Sequence, residues 1–376
     1  MHLVDTTMFF ARESGGVKRY LLAKRDWLSR HTAMRHTLLV PAAADQDDGA
    51  GSVSVASPAL PFGNGYRLPL DMARWRHHLN SLAPDLIEVG DPYQLAWAAL
   101  KVGRTRGVPV IGFYHSDLVR LIGTRLGAWS APGVAHYVAD LYKRFDLVLA
   151  PSRTMVERLS GLGIERVALQ PLGVDTARFH PGHRDPGLRQ SLGLSDETRL
   201  LLFAGRFARE KNIPVLLDTL QWLGPAYHLL LVGGGGQMRL PPNVTRIPYV
   251  GSEDSLARLM ASCDAFIHAG DQETFGLVVL EAMACGVPVV GIDAAGVGEL
   301  VDITVGMLAP SCHPRLLATA VNELFERDLR VLGQCCRERV EKDYGWNRAF
   351  HSLMDHYHRL TGFTIPETEI QLHAVG

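Results

Sequence analysis

A chain of 376 residues exceeds the length that a single hydrophobic core usually supports, so two domains are predicted. With 47% hydrophobic and 20% charged residues, the composition is that of a globular protein and excludes a disordered or collagen-like chain. The formal net charge is −1, but residues 1–180 carry an excess of basic side chains and the remainder an excess of acidic ones. The basic half could face an anionic partner such as a phospholipid surface or a phosphorylated acceptor, and a chance imbalance of surface charge explains it equally well.

The first half alternates short apolar runs with amphipathic segments, which is the pattern of β-α units around a parallel sheet. Residues 42–65, rich in Asp, Gly, Ser and Pro, are predicted to form a loop with a short hairpin. The predicted strands are 3–5, 36–40, 86–89, 108–114 and 147–150. The predicted helices are 17–29, 70–82, 93–106, 134–145 and 153–161.

A second β-α series follows residues 181–195, whose Pro, Gly, His and Asp content is typical of a linker. Its predicted strands are 199–204, 228–232, 244–247, 265–268 and 287–291, and its predicted helices are 213–220, 252–262, 276–285, 297–300 and 315–327. Helices around 329–342 and 346–360 come last. We therefore predict domains at 1–180 and 181–345, a helix at about 346–362 that packs back on the first domain, and a tail at 363–376.

The sequence favours a reducing compartment. The five cysteines have neither the paired spacing of a zinc site nor the density of a disulfide scaffold. The first residues lack the pattern of a signal peptide, and no apolar run reaches the roughly 18–20 residues that span a bilayer. We expect a cytoplasmic protein whose contact with a membrane, if it has one, is peripheral.

The segment after the predicted strand 265–268 combines features of an anion-binding and sugar-binding loop. It contains Glu273, Gly276 and Glu281 and continues into Gly-Val-Pro at 286–288. A helix beginning near Gly276 offers unpaired N–H groups and the positive end of its dipole to an anion, and glycine there allows close approach to the backbone. A carboxylate at Glu281 could accept hydrogen bonds from a vicinal diol such as ribose, and Glu273 could meet sugar hydroxyls. An amphipathic helix with one capping Glu is the alternative interpretation.

Three further segments carry candidate residues at predicted strand ends. Arg206 and Lys211 follow the strand that ends at Gly205, and two cations there can straddle a diphosphate; surface charges on a turn are the alternative. Gly15 and Gly16 come just before a predicted helix and are followed by the basic Lys18 and Arg19. This pattern suits a turn whose backbone N–H groups face a phosphate, and an ordinary turn without a ligand is the alternative. That spacing matches neither GxGxxG nor a P-loop, which argues against a dehydrogenase or a kinase. His115, at the end of the predicted strand 108–114, could hydrogen-bond a sugar or orient an acceptor hydroxyl, and Asp117 could hold that hydroxyl in place. A purely structural role for His115 is the alternative.

The segment from Glu273 to Val290 resembles the donor-binding signature of retaining GT-B enzymes in glycosyltransferase family 4. The resemblance covers essentially the whole chain, weakly in residues 1–150 and closely from about 170 to 300. It implies an α/β protein with the GT-B fold, made of two doubly wound Rossmann-like domains that face a cleft. It also implies that Glu273 contacts the donor sugar, that Glu281 binds the ribose, and that the residues between them bind the donor, namely Thr274, Phe275, Gly276 and Leu277.

The same resemblance assigns the remaining candidates. The family's Gly-Arg-x4-Lys motif places Arg206 and Lys211 at the donor pyrophosphate, and its Gly-Gly turn places Gly15 and Gly16 over the donor phosphates. Backbone contacts to the nucleotide base fall at Tyr249 and Val250, and a His often occupies the position of His115. Catalytic roles are thus expected for His115, Arg206, Lys211 and Glu273, and acceptor-orienting roles for Lys18 and Asp117.

The resemblance is nearest to the mannosyl- and lipid-glycosylating branch of the family, so it implies a retaining hexosyltransferase that moves mannose from GDP-mannose to a hydroxyl acceptor, such as a lipid or a lipid-linked glycan. A UDP-hexose donor and a catalytically silent sugar-nucleotide-binding protein are the alternatives. The absence of an Asp-x-Asp at a strand end and of a metal-ligand cluster predicts a metal-independent enzyme without a cofactor, and no nucleic-acid module is recognised. Residues 67–82 and 118–129 are basic and amphipathic, so either could lie on anionic lipid or be an ordinary core-facing helix.

Overall fold

The computed structural model describes residues 1–11, 15–60, 65–234, 238–248 and 250–363. The chain divides into two compact units: Met1–Pro151, Met155–Gln170 and Trp346–Gly376 form unit 1, and Ser152–Thr154 and Pro171–Gly345 form unit 2. The predicted boundary at 180 therefore differs from the observed one at 170. The reason is that residues 171–180 bond within unit 2, where Val174 N donates to Tyr344 O (2.8 Å) and Arg337 Nη1 donates to Phe179 O (2.7 Å).

Unit 1 is built on a parallel sheet covered by helices. Its strands are β1 His2–Thr6, β2 Arg35–Ala42, β3 Gln46–Asp47, β4 Ser52–Ala56, β5 Leu86–Val89, β6 Val110–Phe113, β7 Leu147–Ala150 and β8 Val167–Leu169. Its helices are α1 Gly16–His31, α2 Met72–Ser81, α3 Gln94–Arg106, α4 Leu118–Leu126, α5 Ala131–Tyr142 and α6 Arg153–Gly161. The strand order in the described part is β3-β4-β2-β1-β5-β6-β7-β8, and only the β3–β4 pair is antiparallel.

The predicted loop 42–65 contains more regular structure than expected. Its antiparallel pair β3–β4 is the short hairpin, but β4 also joins the main sheet in parallel register with β2, where Val53 pairs with Leu39. The alternation in β4 buries Val53 and Val55 and leaves the intervening serine half-exposed, so one face of this strand belongs to the core. The three-residue edge strand β8 was not predicted from the sequence.

A cluster of buried charged side chains lies between the sheet and the helices of unit 1. The side chain of Lys24 on α1 is fully buried, and its Nζ donates to Asp5 (2.7 Å) on β1 and Glu88 (2.8 Å) on β5. The hydroxyl of Tyr20 donates to Glu88 Oε1 (3.0 Å), and that of Tyr357 donates to Glu88 Oε2 (2.5 Å). Tyr357 lies on the last helix, Trp346–Thr361, so the cluster ties that helix to β1, α1 and β5.

Unit 2 is a second parallel α/β layer. Its strands are β9 Arg199–Ala204, β10 Tyr227–Val232, β11 Val244–Ile247, β12 Ala265–Ile267, β13 Val289–Ile292 and β14 Gly306–Ala309. Its helices are α7 Leu188–Ser191, α8 Ile213–Leu223, α9 Glu253–Ser262, α10 Leu277–Ala284, α11 Ala295–Leu300, α12 Pro314–Phe325 and α13 Leu329–Asp343, after which α14, Trp346–Thr361, returns to unit 1. The strand order is β11-β10-β9-β12-β13-β14, and the sequence analysis had missed β14.

This order places a topological switch point next to β9. From β9 the chain first adds β10 and β11 on one side, and later β12, β13 and β14 on the other. Ligands of open α/β sheets bind beyond the carboxyl ends of the strands at such a point. The loops after β9 and β12 are therefore the natural place for a ligand site in unit 2. Among the described residues, no helix is long and apolar enough to cross a membrane.

Candidate functional site

The loop after β9 carries the two predicted phosphate-binding cations. Arg206 follows Gly205 directly and is exposed, and Lys211 ends a short turn before α8 and keeps 17% of its side chain exposed. A Cβ at Gly233, after β10, would lie 1.9 Å from the carbonyl oxygen of Gly205. Only glycine at position 233 lets these two strand ends approach so closely, and this contact fixes the start of the Arg206–Lys211 loop.

The loop after β12 carries Glu273 and, ahead of it, the buried His268. The ring of His268 is fully buried, and its Nδ1 accepts a hydrogen bond from the backbone N–H of Gly270 (3.2 Å). A Cβ at Gly270 would lie 2.6 Å from His268 Cε1, so glycine is required at this turn. The backbone oxygen of Glu273 accepts from Gly296 N (2.8 Å), which ties the loop to the start of α11.

The structure brings Lys211 and Glu273 into direct contact. Nζ of Lys211 donates to Glu273 Oε1, and Nε2 of His268 lies 3.1 Å from the same oxygen. Burial lowers the pKa of Lys211 to about 8; the nearby carboxylate of Glu210 opposes this shift, and the charge of Arg206 adds to it. Burial and the charge of Lys211 lower the pKa of His268 to about 3, so the imidazole is neutral near pH 7. A cation, a carboxylate and a neutral imidazole thus meet at the switch point.

Helix α10 begins beside this cluster with the geometry that an anion site needs. Gly276 is its N-cap in the left-handed region (φ 103°), a conformation that L side chains rarely adopt. The N–H groups of the first turn have no partners within a helix and lie at the positive end of its dipole. Phe275 is buried, and its backbone lies against Gly296, where a Cβ would come within 2.5 Å of Phe275 Cα and O. Thr274 and Leu277 are half-buried.

Glu281 occupies the second turn of α10 and is 3% exposed. Its position four residues after Leu277 puts both on one face of the helix. A carboxylate that is this deeply buried is costly to desolvate, so it needs hydrogen-bond partners. Val250 is half-buried, and Tyr249 lies outside the described residues.

In unit 1, His115 lies just past β6 at the carboxyl edge of the sheet. Its ring stacks on Phe113 (centroids 4.0 Å apart, 15° between planes) and contacts Tyr20 (5.3 Å). Burial, followed by the charge of Lys24, lowers the pKa of His115 to about 3. The imidazole is therefore neutral at physiological pH and suited to hydrogen bonding, whereas it has little capacity to act as a cation.

Asp117 performs a structural task that the sequence analysis did not foresee. Its carboxylate caps α4 by accepting from Arg120 N (3.3 Å), accepts from the hydroxyl of Tyr114 (3.1 Å) and forms an ion pair with Arg158. The residue is 5% exposed. The cap and the ion pair explain its burial, so any acceptor-orienting role of Asp117 would be indirect.

The Gly15–Gly16 turn opens α1, the first helix of unit 1. Gly15 is exposed and is the N-cap, and a Cβ there would meet no atom of the described residues within 4 Å. Open space at an N-cap is compatible with a ligand approaching the backbone. Nζ of Lys18 donates to Ala11 O (3.0 Å) and lies over the ring of Phe10 (5.4 Å). Residues 12–14, just before this turn, lie outside the described residues.

Sequence reasoning missed the residues that hold the site together. His268 was placed at a strand end without a task, although a histidine directly before the Glu273 loop was a visible signal. Asn212, which follows Lys211, adopts φ 52° and donates through Nδ2 to Ala269 O (2.9 Å), so it joins the loops after β9 and β12. Nothing in the local sequence indicated this link or the contact of Gly296 with Phe275. Within the described residues, no group of three or more His, Cys, Asp or Glu side chains could hold a metal ion.

Known protein families match both units. Residues 14–178 match the family model described as Glycosyltransferase Family 4, and residues 185–339 match the one described as Glycosyl transferases group 1. A GDP-mannose-dependent alpha-(1-6)-phosphatidylinositol dimannoside mannosyltransferase of Mycobacterium tuberculosis is 30% identical over 370 residues, which cover 94% of this chain and 95% of the relative. A GDP-mannose-dependent alpha-mannosyltransferase of Corynebacterium glutamicum is 28% identical over 334 residues, 85% of this chain and 80% of the relative.

Solved structures share the fold. The sucrose-phosphate synthase of Thermosynechococcus elongatus is similar with a TM-score of 0.82 at 20% identity, over 96% of this chain and 99% of that structure. An Anabaena protein in complex with UDP-glucose has a TM-score of 0.75 at 20% identity, over 96% and 100% of the two chains. At this identity the similarity establishes the architecture, and the predicted GT-B fold is confirmed.

Proposed function

Because the chain belongs to glycosyltransferase family 4, a family of retaining enzymes with the GT-B fold, we propose that it transfers a mannosyl residue from GDP-mannose to a hydroxyl of a lipid-linked acceptor. The observation that carries this proposal is the 30% identity, over 94% of the chain, with a relative named as a GDP-mannose-dependent mannosyltransferase acting on a phosphatidylinositol dimannoside. The geometry of unit 2 supports a nucleotide diphosphate sugar as the donor.

Each part of such a donor has a chemically matched group at the switch point. Arg206 and Lys211 would compensate the charge that develops on the diphosphate as the glycosidic bond breaks, together with the N–H groups at the start of α10. Glu273 would accept hydrogen bonds from hexose hydroxyls, and the buried Glu281 would accept those of the ribose diol. In unit 1, the neutral His115 would hydrogen-bond the sugar or the acceptor hydroxyl. These side chains supply phosphate compensation from the protein itself, so we propose that no metal ion is needed.

The donor is identified by a thermal-shift panel of GDP-mannose, UDP-glucose, UDP-galactose and ADP-glucose, followed by product analysis with each compound that binds. A ligand at 100 times its Kd stabilises the folded state by about 2.7 kcal/mol, which moves the melting temperature measurably. We expect GDP-mannose to give the largest shift and Lys211→Ala to lose turnover. A shift with UDP-hexoses alone would show that the donor assignment is wrong.

For the acceptor side, the structure separates the two basic amphipathic segments. Helix α2 directs Trp75 and Leu79 into the core and pairs Arg74 with Asp45, so it is a core-facing helix. The segment around α4 differs, because Leu126 is 58% exposed and Trp129 is 79% exposed. Arg120 and Arg125 lie in the same stretch, and no acidic residue occurs between Asp117 and Asp140. Exposed apolar and basic side chains together suit an anionic lipid surface.

Vesicle co-sedimentation tests this surface independently of the donor. We expect the protein to sediment with phosphatidylglycerol vesicles more than with phosphatidylcholine vesicles, and Trp129→Ala with Leu126→Ala to remove the difference. Trp222, 59% exposed in unit 2, provides the matched control as Trp222→Ala. Equal sedimentation of the control and the double variant would rule out a lipid-binding role for the α4 segment.

A further inference from the structure

We propose that His268 is a positioning residue for the donor sugar: it holds Glu273 by one carboxylate oxygen and keeps the other oxygen directed to the hexose. The inference rests on the proposed function, since it gives a task to the neighbour of the proposed sugar-binding carboxylate. His268 is not expected to touch the substrate. It acts through Glu273, to which its Nε2 lies 3.1 Å away.

The ring of His268 is held rigidly. It is fully buried at the end of β12, and it stacks near Phe203 (6.0 Å, 27°) and Phe266 (6.4 Å, 22°). Both phenylalanines are themselves buried in strands of the central sheet. A side chain that is packed in this way cannot change rotamer without disturbing the core, so its hydrogen-bonding direction is fixed.

The hydrogen bonds define which nitrogen carries the proton. Nδ1 accepts from the backbone N–H of Gly270 (3.2 Å), so it must hold a lone pair, and the proton of the neutral ring is on Nε2. The Nε2–H group therefore donates to Glu273 Oε1. Burial and the charge of Lys211 disfavour the imidazolium, with a pKa of about 3, so this donor keeps the same form throughout the working range of pH.

Two donors converge on one oxygen of Glu273. Lys211 and His268 both reach Oε1, and within the described part of the chain no hydrogen bond reaches Oε2. The side chain of Glu273 is 19% exposed, so a ligand can reach it. Oε2 is then the oxygen that accepts from a sugar hydroxyl, and its direction is set before the donor arrives.

The two donors differ in what they can do when the nucleotide sugar binds. The ammonium of Lys211 sits on a flexible stem and is the group assigned to the diphosphate, so it can exchange Glu273 for phosphate oxygens. His268 has no such freedom. It retains Glu273 while Lys211 is engaged elsewhere, which keeps the sugar-binding oxygen in place during the reaction.

Two isosteric variants separate the hydrogen bonds of His268. His268→Gln places an amide N–H where Nε2–H stands and loses the acceptor for Gly270, whereas His268→Asn keeps an acceptor at the Nδ1 position and loses the donor to Glu273. We expect kcat of His268→Asn to fall about 10- to 100-fold, since a hydrogen bond to a charged group is lost, and that of His268→Gln to stay within about fivefold of wild type. His228→Asn, which removes another buried histidine of unit 2, is the control with unchanged kcat.

Binding measurements distinguish positioning of Glu273 from a purely structural role of His268, because a structural role would not change the preference for the nucleotide sugar over the free nucleoside diphosphate. Calorimetry should show the same affinity of wild type and His268→Asn for the free nucleoside diphosphate, but a weaker affinity of the variant for the nucleotide sugar. If His268→Asn keeps both kcat and this preference within twofold, or if the Gln and Asn variants lose them equally, the proposal is overturned.

An NMR experiment on the wild-type protein tests the proposal even if the variants do not fold. Long-range ¹H–¹⁵N correlation of histidine-labelled protein should show one neutral ring, protonated on Nε2, that does not titrate between pH 5 and 8. A ring at position 268 that titrates near pH 6.5, or is protonated on Nδ1, overturns the proposal. Failure of the donor assignment can be distinguished from failure of this proposal. If the enzyme turns over only a UDP-hexose, the GDP-mannose assignment is wrong, and the His268 variants are then compared with the UDP-hexose as donor.

Discussion

Replacing Lys24 with Met tests whether the buried ionic cluster holds unit 1 together. Lys24 is fully buried, and its partners Asp5 and Glu88 are 2% and 1% exposed. Methionine fills a similar volume without charge. The variant therefore leaves two carboxylates inside the protein without their common cation, and it removes the hydrogen bond from Lys24 Nζ to the hydroxyl of Tyr357 (3.2 Å) on α14.

The size of the effect follows from what the lysine compensates. Breaking a buried ion pair by removing one partner costs about 3–5 kcal/mol, because the remaining charge is uncompensated. We expect a loss in this range for the free energy of unfolding of unit 1 at pH 7, which is a large part of the about 5–15 kcal/mol of a typical domain. Replacing all three charges at once, as Lys24→Met/Asp5→Asn/Glu88→Gln, removes the uncompensated charge, so most of the loss should be recovered.

Urea denaturation followed by tryptophan fluorescence reports this loss. Five of the six tryptophans lie in unit 1, namely Trp27, Trp75, Trp97, Trp129 and Trp346, and Trp222 lies in unit 2. The fluorescence transition is therefore dominated by unit 1. The Lys24→Met variant should shift its midpoint to lower urea without changing the slope, whereas circular dichroism, which samples both units, should resolve a transition of unit 2 that is unchanged.

The pH dependence provides the sharper test. In the wild type, burial raises the pKa of Glu88, while for Asp5 the upward effect of burial is outweighed by Lys24 and His36, so its pKa is lowered. Without Lys24 both carboxyls should have raised pKa values in the folded state. The folded state then binds more protons than the unfolded one, so the stability of Lys24→Met should fall as the pH rises from 5 to 8. A loss under about 1 kcal/mol, or the same loss in the triple variant at every pH, would refute the reasoning.

Three further predictions concern the donor site. Glu273→Gln should lower kcat by about 100-fold or more because the carboxylate serves the sugar, and it should not weaken binding of the free nucleoside diphosphate because it leaves Lys211 available to the phosphates; equal losses in kinetics and in calorimetry would contradict this. Gly296→Ala places a methyl group against the backbone of Phe275 and should weaken binding of the nucleotide sugar and cost about 1–3 kcal/mol in urea denaturation, whereas Gly133→Ala, which has open space, should not. Initial rates should be unaffected by EDTA, and a loss that Mg²⁺ restores would show that the metal-independent assignment is wrong.

The sequence predicted the existence of most strands and helices because each is a short local pattern. It could not predict their order in the sheets, since the position of β12 beside β9 depends on crossovers and on packing that no local period encodes. The edge strands β8 and β14 were missed because they are only partly buried, so they lack the strong apolar run of the strands inside the sheets. The boundary was placed at 180 because the Pro-rich composition begins there, whereas the bonds of residues 171–180 decide it.

Prediction of the site was limited in the same way. Glu273, Gly276 and Glu281 could be selected as candidates because they belong to one continuous segment whose spacing is visible. The contact of Lys211 with Glu273 joins residues that are 62 positions apart, so it could be seen only in the folded structure. The position of Gly296 against Phe275 is a packing constraint that sequence reveals only as one glycine among 37.

Lys24 and Lys211 show why a buried or half-buried ion pair has to be judged by its surroundings. Lys24 is fully buried and has two carboxylates and a hydroxyl as partners, so its charge is fully committed and cannot serve a ligand. Lys211 and Glu273 keep 17% and 19% of their side chains exposed, and they lie where two strand ends and a helix start converge. A pair that retains access to solvent can exchange its partner for a ligand oxygen, and the rigid His268 would hold the carboxylate in position during such an exchange. We therefore assign the first lysine to the fold, and the proposed function gives the second a part in the reaction.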